Sequence, residues 1–327
     1  MPARVRCAGR FLVSCLLCAS LLAFSVWAGG CRAEPQKNAT QAAGAVPAAA
    51  DAAPLAETTG GFDGAKAYAH VARLVAIGPR SPGSEGIHRA QEYIRAQLGS
   101  FGCRVEEDDF HASTPTGSAA MKNIVVKIAG ASPNVVLLTT HYDTWRGENF
   151  VGANDGGSST GMMLEMARLL CRRKNALTVW IALFDGEEAF VQWGPTDGTY
   201  GSRQMAAKLA VSGELRRIKA VMLSDLIGDR NLRIKRESNS TRWLTDLVWA
   251  AAARLGYQNI FLPEETPIED DHLPFLRRNV PAVDVIDLEE PYWHTAGDTL
   301  DKISPRSLAI VGHVFLESLA ELEKKFR

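Results

Sequence analysis

The stretch LTVWIALFDGEEAF, residues 177–190, decides the fold. Its first eight residues form a short, continuous apolar run rich in β-branched and aromatic side chains, which predicts a strand buried on both faces. Strands of that kind belong to α/β sheets, where function gathers beyond the strands' carboxyl ends. Two adjacent carboxylates, Glu187 and Glu188, stand at that end. One acid can bind a metal ion while its neighbour moves a proton. The plain alternative is ordinary surface charge after a strand. That alternative loses ground because other acids and histidines fall at similar places.

Outward from this run, further strand-like segments occur at 104–111, 122–129, 135–140, 219–225 and 282–287, with 178–184 as the run itself. Helical spacing marks 65–77, 85–98, 158–172, 202–211, 240–254 and 305–325, and the breaker stretch GPRSPGSEG (78–86) separates the first two helices. Strands alternating with helices predict a three-layer α/β/α sandwich, a central sheet with helices on both faces. The first two strands have no helix between them, which predicts an antiparallel edge and so a mixed sheet. One domain spanning 62–327 accounts for the pattern.

Ahead of it, Arg4, Arg6 and Arg10 precede an apolar run from Phe11 to Val26. The run is shorter than the roughly 20 residues of a membrane span, and small residues follow it, so residues 1–30 read as an export signal. AGGC (28–31) resembles a bacterial lipoprotein cleavage site, with Ala28 where Leu is usual. Attachment through a lipidated Cys31 to a periplasmic membrane face is the expectation, with plain secretion as the alternative. Residues 31–61, rich in Ala, Pro, Gly and Thr, read as a flexible tether.

The 327-residue chain is 46% hydrophobic, enough for a sizeable core, and its formal charge of −1 offers no field for nucleic acid. Loss of residues 1–30 removes three arginines and no acids, making the mature chain more acidic. Four of six cysteines lie in residues 1–31, leaving Cys103 and Cys171. Two cysteines make no disulfide framework; pairing is the alternative, and separate buried thiols are the expectation.

Potential metal ligands follow the other strands. His141 and Asp143 lie in HYDT, Asp155 in GANDGGSS, Asp225 at the end of AVMLSD, and His294 in WHTAGDT. Zinc accepts imidazole nitrogen and carboxylate oxygen, and a catalytic zinc keeps one position open. Asp143 is placed to orient His141 by accepting its second ring N–H. Each residue has a bland reading: Asp155 as a helix N-cap, Asp225 as a turn residue, His294 as a loop histidine, and Asp270 and Asp271 as caps ahead of HLPFL. His70, His88, His111 and His313 lack any such context and read as surface or core residues.

HYDT, GANDGGSSTGMMLEMAR, FDGEEAF and HTAGDTLDKI resemble the zinc aminopeptidase family. FVGANDGGSSTGMMLEMAR (150–168), FDGEEAFVQW (184–193), YGSR (200–203), SDLIG (224–228), IEDDHLPFLRRNVP (268–281) and WHT (293–295) are more similar to its glutaminyl cyclase branch, the glutaminyl-peptide cyclotransferases. The resemblance implies a zinc aminopeptidase-like fold and one zinc ion held by Asp155, Glu188 and His294. It implies Glu187 as general acid/base, Asp225 and Asp270 hydrogen-bonded near it, and Trp193 and Trp293 as walls of a substrate pocket. The substrates implied are peptides or proteins with N-terminal glutamine, acted on by an acyltransferase, and a monomer is the expectation. Thr160 replaces a cysteine of the animal enzymes, so their disulfide cannot form here, and LEEPY (288–292) departs from their pocket rim. The rival readings are a two-zinc aminopeptidase, for which His141 and Asp225 supply the extra ligands, and a lipid-anchored peptide-binding protein without catalysis.

Overall fold

A computed structural model describes residues 51–327. The expected export signal and Cys31 lie outside them. The chain runs through α1 (Gly64–Ile77), α2 (Glu85–Ser100), β1 (Val105–Thr114), β2 (Gly117–Ile128), β3 (Ser132–His141), α3 (Gly157–Leu170), β4 (Leu177–Phe184), α4 (Tyr200–Ser212) and β5 (Ile218–Asp225). It continues through β6 (Ile234–Glu237), α5 (Arg242–Arg254), β7 (Phe261–Thr266), α6 (Leu273–Leu276), β8 (Ala282–Ile286) and α7 (Pro305–Phe326). Every expected strand and helix is present. The sequence reading missed β6 and β7, which are short and charged (IKRE, FLPEET) and pair as a small parallel sheet of their own.

The main sheet has the order β1-β2-β4-β3-β5-β8. β2 pairs antiparallel with both β1 and β4, and β4, β3, β5 and β8 are mutually parallel. The sheet is therefore mixed, with the expected antiparallel edge. β4 is buried at all eight positions because both its faces are covered. Its pleat sorts alternate residues into two cores. Val179, Ile181 and Leu183 join α1, α3 and α7 on one side, and Trp180, Ala182 and Phe184 join Met205 and Leu209 of α4 and Phe275 of α6 on the other.

The connection from β3 through α3 leads to β4, and the connection from β4 through α4 crosses back past β3 to β5, on the opposite face of the sheet. The order in which strands are added across the sheet thus reverses beside β3. At such a switch point the two connections diverge and leave a crevice at the strands' carboxyl ends. The ends of β3, β4, β5 and β8 open onto it.

Two expectations need correction. Cys103 and Cys171 are joined in a disulfide, with 5.4 Å between their Cα atoms. Cys103 follows the end of α2 and Cys171 caps α3, and the packing of these helices brings the two within bridging range. The end of the expected tether is also part of the folded unit. Residues Ala56–Thr58 form a 3₁₀ turn, Thr59 is fully buried, and Asp51 pairs with Arg230. Among the described residues no helix is long and apolar enough to cross a membrane.

Candidate metal and acid–base site

His141 is the last residue of β3, and the chain then loops to α3. A fully buried arginine, Arg80, shapes that loop. Its guanidinium donates to the carbonyl oxygens of Tyr142 (3.2 Å), Val151 (2.7 Å) and Gly152 (2.9 Å), with longer contacts to Leu74 and Gly78. Burial lowers its pKa to about 10, while Asp298, Asp143 and Asp155 oppose that shift. Gly156 caps α3 at φ +68°, and a Cβ there would come within 2.6 Å of the Asp143 carbonyl oxygen and 3.0 Å of the His141 ring. Asp155 is therefore not the helix cap. Its backbone N–H and that of Asn154 donate to the Asp298 carboxylate, which leaves its side chain facing inward.

The loop after β4 is tied down from two sides. Asp143 accepts from the backbone N–H groups of Glu187 (3.1 Å) and Glu188 (3.3 Å). Asp197 accepts from those of Phe190, Val191 and Gln192 and from the Tyr200 hydroxyl. The expected orienting bond from His141 to Asp143 is not made: Nδ1 lies 3.5 Å from the carboxylate and has no hydrogen-bond partner. His141 Nε2 instead lies 3.1 Å from Asp225 and 3.2 Å from Asp155.

Two clusters of ligand-type atoms result, each with its atoms within 4.8 Å of one another: Asp155, Glu188 and His294, and His141, Asp155 and Asp225. In the first, His294 Nε2 is 3.4 Å from Asp155 Oδ2 and 3.2 Å from Glu188 Oε2. Asp155 Oδ2 and Glu188 Oε1 are buried with no hydrogen-bond donor. Buried carboxylate oxygens without donors are costly, and a cation between them would remove that cost. Two carboxylates and one imidazole are a donor set that fits zinc with a position left open.

His294 holds its place in the left-handed region, at φ +51°. Its ring is stacked between two indoles, Trp145 (4.9 Å between centroids, planes 6° apart) and Trp293 (4.3 Å, 24°). Leu226, next to Asp225, is also left-handed at φ +49°. Backbone outliers of this kind cost of order 1–3 kcal/mol and collect at functional sites.

Glu187, Asp225 and Asp270 line the same cavity of about 610 Å³ as Asp155, Glu188 and His294, with Trp193 and Trp293 at its mouth. Burial pushes the Glu187 carboxyl well above its ordinary pKa. His141 opposes the shift, and Glu188, Asp270 and Asp271 reinforce it. Asp270 is raised by burial and by Asp225 and Asp271. The capping alternative for Asp270 and Asp271 is not realised, since α6 has His272 at its N-cap and no side-chain cap. His70, His88, His111 and His313 do not line the cavity; His70 is buried against Tyr93. Trp145, Arg80 and Asp197 were missed. Only Asp197, in the turn-rich GPTDGT, carried a local signal.

Residues 123–319 match the model of peptidase family M28. A glutaminyl-peptide cyclotransferase from Boiga irregularis is 34% identical over 281 residues, covering 72% of this chain and 76% of its own. The chain belongs to peptidase family M28 and to its glutaminyl-peptide cyclotransferases. Among solved structures, an Acidobacteriales bacterium glutaminyl cyclase superposes with a TM-score of 0.78 at 41% identity, covering 81% of this chain and 96% of that one. Porphyromonas gingivalis glutaminyl cyclase superposes at 0.74 with 30% identity, covering 80% and 99%. Both family motifs with adjacent glutamates and the EDDH segment thus sit on the fold expected of cyclotransferases.

Proposed function

We propose that this chain converts N-terminal glutamine of peptides or proteins to pyroglutamate, releasing ammonia, with one zinc ion held by Asp155, Glu188 and His294. The observation that carries the reading is the convergence of that triad, a buried Glu187 and the Asp225–Asp270 pair in one cavity with indole walls.

When bound, zinc supplies a Lewis acid that polarises an amide carbonyl. The remaining work falls to side chains of this chain. The substrate brings its own nucleophile, an α-amine with a pKa of about 7.7–8.0, so a neutral fraction exists near pH 7. Glu187, made more basic by burial, takes a proton from that amine and delivers it to the departing amide nitrogen, since ammonia leaves only when protonated. Asp225 and Asp270 line the cavity beside it, and burial together with the charges of Asp225 and Asp271 raises the Asp270 carboxyl, so that Asp270 is suited to keep a proton next to Glu187. Trp193 and Trp293 exclude water and keep amine and amide in reach of each other.

The two-zinc aminopeptidase reading draws on the second cluster, His141, Asp155 and Asp225. Incubation of purified protein with a Gln-initiated peptide amide separates the readings. Cyclisation yields ammonia and a blocked N-terminus, hydrolysis yields free glutamine, and a binding protein yields neither. Free glutamine without pyroglutamate would overturn the assignment. The arginine-flanked apolar run and AGGC support export and lipid attachment at Cys31.

A further inference from the structure

The cavity of about 610 Å³ is larger than one glutaminyl side chain needs, so residues after the glutamine also lie within its walls. Its floor is acidic, with Asp155, Glu187, Glu188, Asp225 and Asp270 all buried. Its mouth is apolar, and three of the five large hydrophobic side chains exposed among the described residues, Val191, Trp193 and Trp293, stand there. Within this lining one side chain carries a permanent positive charge. It is Arg146, on the loop after β3.

Arg146 is exposed but held. Its guanidinium lies 3.9 Å from the centre of the Phe190 ring, and Nη2 donates to the Pro82 carbonyl oxygen at 2.9 Å. Among the described residues it has no carboxylate within ion-pair distance, and its other N–H groups have no acceptor. A planar fork fixed on an aromatic face, with donors to spare, is suited to accept a carboxylate in a defined orientation. Glu269 also lines the mouth, but no contact holds its side chain in place. Asp143, Asp185 and Asp197 act on the Arg146 charge from beyond ion-pair distance and leave its spare donors open.

Resting on the cyclotransferase reading, we propose that Arg146 is a specificity residue that binds a substrate carboxylate one or two residues beyond the N-terminal glutamine. That carboxylate is either an acidic side chain or the C-terminus of a dipeptide. Arg146 directly follows Trp145, whose ring stacks on His294 at 4.9 Å, so at about 3.3–3.6 Å per extended residue the first positions after the glutamine are the ones that pass it.

The test compares kcat/KM for Gln-Ala-amide, Gln-Glu-amide, Gln-Lys-amide and free-acid Gln-Ala in the full chain and in Arg146→Gln and Arg146→Glu. An exposed charge pair supports a preference of about 2–10-fold for Gln-Glu-amide over Gln-Lys-amide, seated in KM and shrinking in high salt. Arg146→Gln erases the ratio and Arg146→Glu inverts it. Gln-Glu-amide against free-acid Gln-Ala tells which carboxylate is preferred. Equal ratios in all three enzymes, or a uniform loss across substrates from a displaced Phe190 loop, would overturn the role of Arg146 while leaving the cyclotransferase reading intact. Absence of cyclisation of any peptide by the unmodified chain would defeat both.

Discussion

The indole of Trp145 lies parallel to the imidazole of His294, with 4.9 Å between ring centres and 6° between planes. Trp293 stacks on the other face of the ring, Phe150 meets its edge, and Asp155 and Glu188 face Nε2, so Trp145 is one of several restraints on the imidazole. An aromatic pair contributes about 0.5–1.5 kcal/mol beyond its buried area. Trp145→Ala is expected to weaken zinc retention by about 2–10-fold, and Trp145→Phe to recover most of it. Competition with a chelator, followed by metal analysis, measures both.

Glu187 and Asp225 share the cavity with the metal triad without belonging to it. Glu187→Gln and Asp225→Ala should each keep one equivalent of zinc, with turnover reduced by about 10²–10⁴-fold for the first. Asp155→Ala should lose the metal. Anomalous scattering that finds two full zincs, one beside His141, would move Asp225 into the ligand set.

The Arg80 guanidinium joins α1 to the loop carrying Asp143 and Asp155 through bonds to backbone carbonyls, while its backbone N–H donates to the Thr144 hydroxyl. Arg80→Met would leave those buried acceptors without donors, each a loss of about 1–3 kcal/mol. A substantially lower melting temperature is expected, together with weaker zinc binding. Arg80→Lys should not restore either, because an ammonium cannot reproduce the planar fork.

Burial holds His70 to a pKa of about 4, with Arg168 acting in the same direction. The unfolded chain gains this proton near pH 6.5, so between about 6.5 and 4 the unfolded state binds more protons than the folded one. Stability contributed by neutral His70 is complete above pH 6.5 and is lost as pH falls towards 4, by at most about 1.4 kcal/mol per pH unit. Urea midpoints at pH 7 and pH 5 should therefore converge in His70→Phe relative to the unmodified chain. An unchanged difference would assign the acid sensitivity elsewhere.

The parallel strands were legible because burial on both faces leaves a continuous apolar run, as in LTVWIALF, and the acids closing those runs were legible because they interrupt it. β6 and β7 escaped because four and six residues with their charges side by side, KRE in one and EE in the other, carry no apolar alternation. Arg80 and Trp145 escaped for another reason. Their partners lie on distant segments (Val151 is 71 residues from Arg80, His294 on the loop after β8), and nothing in the local sequence records those contacts. The disulfide was missed likewise, since only the packing of α2 against α3 brings Cys103 to Cys171 across 68 positions.

Asp143 grips the amides of Glu187 and Glu188 with one oxygen each. The two glutamates are thereby yoked to the loop that follows β3 and held at a common distance from it. A substitution that shifts β3 against β4 would carry both together, preserving their spacing while misaligning them with Asp155 and His294. Variation in this pair is thus mechanically constrained to be concerted, and Asp143 is the hinge pin on which it turns.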